Sequence, residues 1–372
     1  MTTASTGADS DAEAPATIEP PLGPVLVVGA GLIGASVAMA LSRAAVPTFI
    51  RDVDVAVAHV ASSRGAGSDG PVAGSPSLVV VATPPDQLGA EIARALADFP
   101  TAVVTDVGSV KSKPLEYLQS RGVDLSRYVG GHPMAGSERS GPLAAAADLF
   151  DGRTWAVVER QDCDPAAVHC VVRLVRACGA VVVRMTTGDH DEAVARVSHL
   201  PHVVAALTAG RLVEAPDDHL SLSGQGLRDV TRVAAGDPGL WCQIVTANAD
   251  AVGALLHELR AEIDAMIGSL EARDVPAVEQ LLRAGVAGVS AIPGKHGGPS
   301  LALATVTVAI PDEPGALARL FADAAEANVN IEDLRIDHDP ARRSGLVELD
   351  VADDRAEWLT AQLQARRWTA HR

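Results

Sequence analysis

The chain has 372 residues, of which 48% are hydrophobic, only 3% aromatic and 21% charged. This length suits two or three domains with aliphatic cores, and the recurrent apolar runs exclude a wholly disordered chain. The 47 acidic and 30 basic residues give a net charge of −17, which argues against a protein that grips a nucleic-acid backbone.

The N-terminal segment 1–22 is rich in Ala, Thr, Ser, Asp, Glu and Pro, which predicts a disordered tail without a signal peptide. No run approaches the roughly 20 apolar residues of a membrane span, so we expect no membrane partner. The four cysteines show neither metal-site nor redox-pair spacing and suit a reducing compartment. We therefore expect a cytoplasmic protein. The cysteines are Cys163, Cys170, Cys178 and Cys242.

Residues 23–186 alternate short apolar runs with helical or loop sequence. This alternation predicts an α/β domain with a mostly parallel sheet. Six strands are predicted, at Val25–Ala30, Thr48–Arg51, Leu78–Ala82, Val103–Asp106, Trp155–Val158 and Val181–Met185.

A glycine-rich turn follows the first predicted strand and opens a helix, with Gly29, Gly31 and Gly34 in GxGxxG spacing. In this pattern the first glycine allows a tight turn, the second lets a pyrophosphate approach, and the third permits close packing of helix on strand. The helix N-terminus, with Leu32 and Ile33, offers free N–H groups to the anion. Together these features predict a Rossmann-like doubly wound sheet that binds a dinucleotide.

Asp52 ends the second predicted strand, where a carboxylate accepts the hydroxyls of the adenine ribose and favours NAD. Arg51 beside it is a possible partner for the 2′-phosphate of NADP, which is the less favoured alternative. Thr83 and Pro84 end the next strand and are expected beside the cofactor.

Two further segments carry reactive side chains at predicted strand or loop ends. Ser109 follows the strand Val103–Asp106, and His132 lies in a second, glycine-containing loop, Gly130–Glu138. Either residue alone would be an ordinary solvated side chain. Behind a dinucleotide site, a histidine with a hydroxyl partner is what removal of an alcohol proton during hydride transfer requires.

Residues 187–292 read as an all-helical domain, whose generous apolar faces predict packing across a dimer interface. His199 and His202 are three apart on one helical face. No third ligand stands at matching spacing, so we assign no metal. His199 is either a packed helix residue or a donor to a substrate carbonyl. Asp229 and Arg232 form either a surface pair or, through the arginine, a carboxylate clamp.

A Pro/Gly-rich linker, 293–300, precedes a third domain over 301–372. The order of predicted elements in this domain is βαββαβ, typical of a ferredoxin-like fold.

Five motifs in this order, GAGLIGAS, DVGSVK, GGHPMAGSE, VSHLPH and GLRDVTR, make the chain resemble the prephenate dehydrogenase family of tyrosine biosynthesis from Pro24 to Leu282. The resemblance implies NAD-dependent oxidative decarboxylation of prephenate to 4-hydroxyphenylpyruvate. It makes His132 the proton acceptor and places Ser109 between hydroxyl, imidazole and cofactor. Arg232 would bind a substrate carboxylate and His199 the pyruvyl side chain. It also places the following residues at or near the substrate: Ser137, Glu138, Asp229 and Trp241.

Residues 303–372 are similar to an ACT domain, a module that often binds amino acids. The resemblance implies that the loop Asp312–Gly315 and the segment Asn328–Ile331 meet at one end of the sheet and hold an effector, tyrosine or else phenylalanine.

Two functions of the chain stay open as alternatives to prephenate dehydrogenase. One is arogenate dehydrogenase, whose substrate has an amino group where prephenate has a keto oxygen. The other is a non-catalytic sensor of dinucleotide and amino acid. The presence of Ser109, His132 and Arg232 argues against a sensor.

Overall fold

A computed structural model describes residues 22–72, 74–136, 139–292, 302–339 and 344–372. The predicted tail, apart from Leu22, and the predicted linker lie outside the described residues. The chain divides into two units. One contains the residues up to Pro201 together with Gly236–Gly253, and the other contains His202–Ala235 and Ala254–Arg372.

The first unit contains a seven-stranded sheet with the strand order β2-β1-β3-β4-β5-β6-β7. The strands are β1 Val25–Val28, β2 Thr48–Arg51, β3 Leu78–Val81, β4 Val103–Asp106, β5 Tyr128–Pro133, β6 Thr154–Val158 and β7 Val181–Met185. The helices of this part of the chain are α1 Leu32–Arg43, α2 Val55–Ser63, α3 Pro85–Asp98, α4 Ser112–Ser120, α5 Pro165–Ala177, α6 Thr187–Val194 and α7 Leu200–Gly210, with a π-helical turn Ala195–His199 before α7.

The central strands are short and wholly apolar because helices cover both faces of the sheet. Leu78, Val79, Val80 and Val81 of β3 are all 0% exposed. The expected aliphatic core is present, built mainly from Val, Leu and Ala on both faces. All six predicted strands exist, each within one or two residues of its predicted ends.

The segment around His132 was predicted to be a loop, and this prediction was wrong. Residues Tyr128–Pro133 form β5, which pairs parallel with β4 through only two residues. The rest of β5 pairs antiparallel with β6, where His132 lies opposite Ala156. Two adjacent glycines and a His-Pro step give this segment a low strand propensity, and its antiparallel partners come from 22 to 28 residues further along the chain.

The strand order reverses at β1, which has β2 on one side and β3 on the other. Such a reversal opens a crevice at the carboxyl ends of the strands, where open α/β sheets bind their ligands. Strands β1, β3, β4 and β5 run parallel, so Gly29, Thr83, Ser109 and His132 all lie along this edge.

The segment 187–292 contains helices and no strand among its residues, as predicted. After α7 it continues with α8 Asp217–Leu220, α9 Gln225–Thr231, a 3₁₀ turn Arg232–Ala235, α10 Pro238–Ala247, α11 Ala249–Ala272 and α12 Val275–Ser290. Two apolar stripes at helical spacing are exposed. They are Ile263, Ile267 and Leu270 on α11, and Leu282, Val286 and Val289 on α12. No helix in the described ranges is long and apolar enough to cross a membrane.

The C-terminal segment has the predicted βαββαβ order and an antiparallel sheet, β11-β8-β10-β9. Its elements are β8 Leu303–Pro311, α13 Ala316–Glu326, β9 Asp333–Asp339, β10 Ser344–Ala352, α14 Asp353–Ala365 and β11 Thr369–His371. The two helices cover one apolar core with the strands.

The two loops of this module that were expected to meet lie at opposite ends of the sheet. Pro311, which leads into Asp312–Gly315, pairs with Ser344 at one end of β10. Asn328–Ile331 leads into Asp333, which pairs with Asp350 near the other end of β10. A nine-residue strand is roughly 27 Å long. The expectation was wrong because α13 carries the chain back along the sheet between the two loops.

Candidate active site

The glycine turn after β1 has the geometry that a dinucleotide needs. Gly29 has φ +105°, and a Cβ there would lie 2.3 Å from the carbonyl oxygen of Ala82. A Cβ on Gly34 would lie 2.0 Å from the carbonyl oxygen of Gly29, so both positions exclude any other residue. At Gly31, by contrast, nothing lies within 4 Å of an added Cβ, which leaves open space for a phosphate.

The groups around this open space suit the rest of a dinucleotide. No side chain caps the N-terminus of α1, where Leu32 and Ile33 form the partly exposed first turn. Asp52 accepts hydrogen bonds from the amides of Ala30 (2.7 Å) and Asp54 (2.9 Å), so its carboxylate lies against the turn. Thr83 follows β3 at the same edge, and its buried Oγ1 has no hydrogen-bond partner in the described structure. Pro84 is exposed beside it.

One buried carboxylate, that of Asp106, joins the two segments that carry Ser109 and His132. Asp106 is 0% exposed and forms an ion pair with Lys111, which is 2% exposed. The carboxylate also accepts hydrogen bonds from Tyr128 Oη (2.9 Å) and from the amides of Gly108 (3.0 Å) and Gly131 (3.3 Å). Gly108 precedes Ser109 and Gly131 precedes His132, so a single side chain fixes both strand ends.

His132 is the first member of a chain of hydrogen bonds that leads into the protein. Its Nδ1 lies 2.9 Å from Nε2 of His190, and Nδ1 of His190 lies 2.7 Å from Oδ1 of Asp191. His190 is 0% exposed and Asp191 is 5% exposed, whereas His132 is partly exposed. Asp191 also accepts hydrogen bonds from the backbone amides of Lys111 and Ser112.

The surroundings of His132 keep its imidazole neutral. Burial is the main reason that the pKa of His132 lies well below its usual value, and the charges of His190, Lys111 and His199 lower this pKa further. Asp191 acts in the opposite direction. A neutral imidazole at the sheet edge that carries the glycine turn can accept a proton while hydride passes to a dinucleotide.

His199, in the π-helical turn, is buried and oriented by Asn248. The amide nitrogen of Asn248 lies 3.2 Å from Nδ1 of His199 and donates a second bond to the carbonyl oxygen of Asp191. Because the amide is the donor, Nδ1 of His199 is an acceptor and Nε2 carries the proton. The ring of Trp241 meets the His199 imidazole edge-on, with centroids 6.3 Å apart.

The remaining predicted substrate residues are placed as follows. Asp229 and Arg232 belong to the second unit, and both are exposed. Asp229 accepts a hydrogen bond from Gln225 (2.8 Å), and among the described residues Arg232 has no carboxylate partner. Their convergence on His132 stays a prediction. Ser137 and Glu138 lie outside the described residues. No cluster of three or more metal-ligand side chains occurs in the described parts of the chain.

Five residues of the site carried no predicted role: Asp106, Lys111, His190, Asp191 and Asn248. Asp106 and Lys111 flank Ser109 in one motif, and a carboxylate at the end of an apolar strand is a usable signal. His190 and Asp191 lie in an acidic run, GDHDE, which resembles the solvated first turn of a helix. Only the packing of α6 shows that both are buried.

Two family models match the chain. That for the prephenate dehydrogenase nucleotide-binding domain matches residues 37–184, and that for the prephenate dehydrogenase dimerization domain matches residues 186–284. Together they cover most of the chain and meet at the end of β7.

Individual relatives agree. A protein of Streptomyces niveus described as a probable prephenate dehydrogenase, NovF, is 34% identical over 93% of this chain and 99% of its own. The crystal structure of prephenate dehydrogenase from Aquifex aeolicus with hydroxyphenyl propionate and NAD+ is 28% identical, with TM-score 0.64 over 72% of this chain and 97% of that chain. Synechocystis arogenate dehydrogenase is 27% identical, with TM-score 0.61 over 72% of this chain and 98% of its own.

Proposed function

Because the chain belongs to the prephenate dehydrogenase family, we propose that it is an NAD-dependent prephenate dehydrogenase, which converts prephenate to 4-hydroxyphenylpyruvate, CO2 and NADH. The observation that carries this proposal is the position of His132. It is a neutral imidazole on the same sheet edge as the open glycine turn, and it is backed by a buried carboxylate.

NAD supplies the acceptor for the hydride when it is bound. Gly29, Gly31 and Gly34 make room for its pyrophosphate, with the N–H groups of Leu32 and Ile33 at the start of α1. Asp52 would accept the ribose hydroxyls, and we assign Thr83, Pro84 and Ser109 to the cofactor site at the same edge of the sheet.

His132 and Ser109 handle the proton of the ring hydroxyl. As hydride leaves the carbinol carbon, the hydroxyl proton moves to Nε2 of His132 while the Ser109 hydroxyl holds the oxygen in line. The ring carboxylate then leaves as CO2, and its bonding electron pair makes the ring aromatic. The phenolate oxygen recovers the proton from His132, so charge and protons balance.

Six further residues would hold the substrate. Arg232 would clamp a carboxylate of prephenate through its planar, two-pronged guanidinium. His199, with its proton on Nε2, would donate to the pyruvyl carbonyl, and Trp241 would pack beside it. Asp229, Ser137 and Glu138 would complete the pocket.

Arogenate dehydrogenase is the second candidate, favoured by the similarity to the Synechocystis enzyme. Arogenate has an amino group where prephenate has a keto oxygen. A proton donor such as His199 Nε2–H suits a keto oxygen and opposes an ammonium group, which supports prephenate.

The assembly and the C-terminal module complete the proposal. The exposed apolar stripes of α11 and α12 support a homodimer built on the helical segment 187–292. We assign 23–186 to NAD binding and 301–372 to an ACT domain that binds tyrosine or else phenylalanine. Since the loops that contain Asp312, Gly315, Asn328 and Ile331 lie at opposite ends of one module, such a site requires two paired modules. Four free thiols suit a cytoplasmic location.

The central test is replacement of the proposed base. His132→Asn should abolish turnover of prephenate and leave NAD affinity unchanged, measured by NADH absorbance and by calorimetric titration. His371→Asn, at an exposed histidine of β11, is the matched control and should keep full activity. Unaltered turnover by His132→Asn would reject the base. Equal rates with prephenate and arogenate would identify a dual-substrate enzyme, and the same assays with NADP test the cofactor.

Regulation has a separate test. Tyrosine should lower turnover by the full chain, and deletion of residues 300–372 should remove this inhibition. Inhibition that survives the deletion would place the effector at the active site instead.

A further inference from the structure

The chain of hydrogen bonds behind His132 has a fixed direction, which is set at its buried end. Burial acts to raise the pKa of Asp191, but hydrogen bonds from His190, Ser112 and the Lys111 amide outweigh it and lower this pKa to about 2. Asp191 is therefore an anion and can only accept, so Nδ1 of His190 carries a proton and donates it.

This direction passes through His190 to His132. A neutral His190 that is protonated on Nδ1 has an unprotonated Nε2, and that atom faces Nδ1 of His132 at 2.9 Å. The bond requires a donor on the other side, so Nδ1 of His132 carries the proton. The lone pair of His132 is then on Nε2, the atom that no bond to His190 occupies.

We propose that Asp191 and His190 are positioning residues that hold His132 in the tautomer protonated on Nδ1, so that Nε2 is free to accept the substrate's hydroxyl proton. This inference rests on the proposed function of His132. After proton transfer, the His132 imidazolium still donates from Nδ1 to His190. The negative charge of Asp191, on the far side of His190, stabilises the positive charge of His132.

The same carboxylate also links the two proposed catalytic groups. Its two oxygens accept hydrogen bonds from the backbone amides of Lys111 (2.9 Å) and Ser112 (2.8 Å). Helix α4 begins at these residues, directly after the segment that carries Ser109. A carboxylate at a helix N-terminus is also favoured by the helix dipole. Asp191 thus fixes the start of α4 and, through His190, the ring of His132.

The charges that face His132 give the relay a distinctive pH signature. His190 and Asp191 on α6, Lys111 before α4 and His199 in the π-helical turn all act on its pKa. Asp191 raises this pKa, so removing its charge moves the acid limb of the kcat/KM profile to lower pH.

The kinetic experiment compares Asp191→Asn, His190→Phe and His190→Gln with the control Glu192→Gln, which neutralises the exposed neighbour of Asp191. Loss of the correct tautomer should lower kcat about 10²–10⁴-fold in Asp191→Asn and His190→Phe. The KM for NAD should change less than about threefold. His190→Gln can accept from His132 and donate to Asp191, so it should recover at least about tenfold over His190→Phe. Glu192→Gln should match wild type.

A spectroscopic experiment tests the tautomer without turnover, which matters because Asp191→Asn also perturbs the start of α4. In protein labelled with ¹⁵N-histidine, the His132 signals are assigned as those missing from His132→Asn. The relay predicts a protonated Nδ1 and an unprotonated Nε2 at neutral pH in wild type, and the reverse in Asp191→Asn.

The outcomes separate the two proposals. A shift of the acid limb to lower pH in Asp191→Asn, with rescue by His190→Gln and an Nδ1 proton on His132, supports the relay. A wild-type His132 protonated on Nε2, or a kcat loss in Asp191→Asn with the acid limb still in its wild-type place, overturns it. A wild-type enzyme that does not oxidise prephenate while His132 shows the predicted tautomer refutes the proposed function instead.

Discussion

The buried pair of Asp106 and Lys111 predicts a large and specific loss of stability in Asp106→Asn. The substitution keeps the size of the side chain but removes its charge, which leaves the Lys111 ammonium buried at 2% exposure without a counter-ion. Removing one partner of a buried ion pair costs about 3–5 kcal/mol. The amide must also turn its NH2 group either towards Lys111 and the Gly108 amide or towards Tyr128 and the Gly131 amide, since its one oxygen can replace only one of the two carboxylate oxygens.

The measurement is urea unfolding of wild type, Asp106→Asn, Lys111→Met and the double variant. The double variant removes both charges, so its loss of stability should be smaller than the sum of the two single losses by about 2 kcal/mol, the coupling of a contacting pair. A matched control neutralises the exposed pair Lys113–Glu116, one turn further along, which should leave the midpoint unchanged.

Two results would refute this reasoning. Asp106→Asn with a wild-type midpoint would show that Lys111 is not desolvated in the folded protein. A double variant whose loss equals the sum of the two single losses would show that the two side chains do not interact.

Three further predictions concern the cofactor, the substrate and acid stability. Asp52→Ser should lower the ratio of kcat/KM for NAD over NADP at least about tenfold, because the carboxylate that repels a 2′-phosphate is gone while Arg51 stays; an unchanged ratio contradicts the assignment. Arg232→Lys should raise the KM for prephenate about tenfold and leave the KM for NAD unchanged, since lysine loses the bidentate geometry. A KM for prephenate equal to that of wild type would remove Arg232 from the site. The pKa of Asp191 is lowered from 3.8 to about 2, so this group contributes about 2 kcal/mol above pH 4, which is lost as the pH falls from 4 to 2. Asp191→Asn should therefore lose less stability than Glu192→Gln between pH 5 and pH 2, and parallel unfolding curves would contradict the shift.

Much of the fold follows from local sequence. Short apolar runs before glycines or acids give the parallel strands, because a strand covered on both faces needs no alternation. The turn at Gly29–Gly34 was predictable, because Gly29 and Gly34 meet specific steric demands and Gly31 leaves open space. The replacement of strands by helices after Met185 was equally visible in the periodicity of the apolar residues.

Features that depend on distant partners were not predictable in this way. Strand β5 exists because β6 pairs with Gly130–Pro133, which no property of those four residues reveals. His190 and Asp191 are buried only because α6 packs beside α4 and the sheet. The two loops of the C-terminal module were expected together because the direction of α13 along the sheet was not considered.

The crowding around Gly131 limits how this protein can be engineered. An added Cβ there would lie 2.5 Å from the carbonyl oxygen of Asp106, and 3.1 Å from both Thr105 Oγ1 and Trp155 Nε1. The backbone oxygen cannot retreat without breaking strand β4. Libraries meant to broaden substrate choice would waste diversity at this position. Randomising the exposed helical segment near Arg232 would change no residue of the sheet and would keep His132, the proposed proton acceptor.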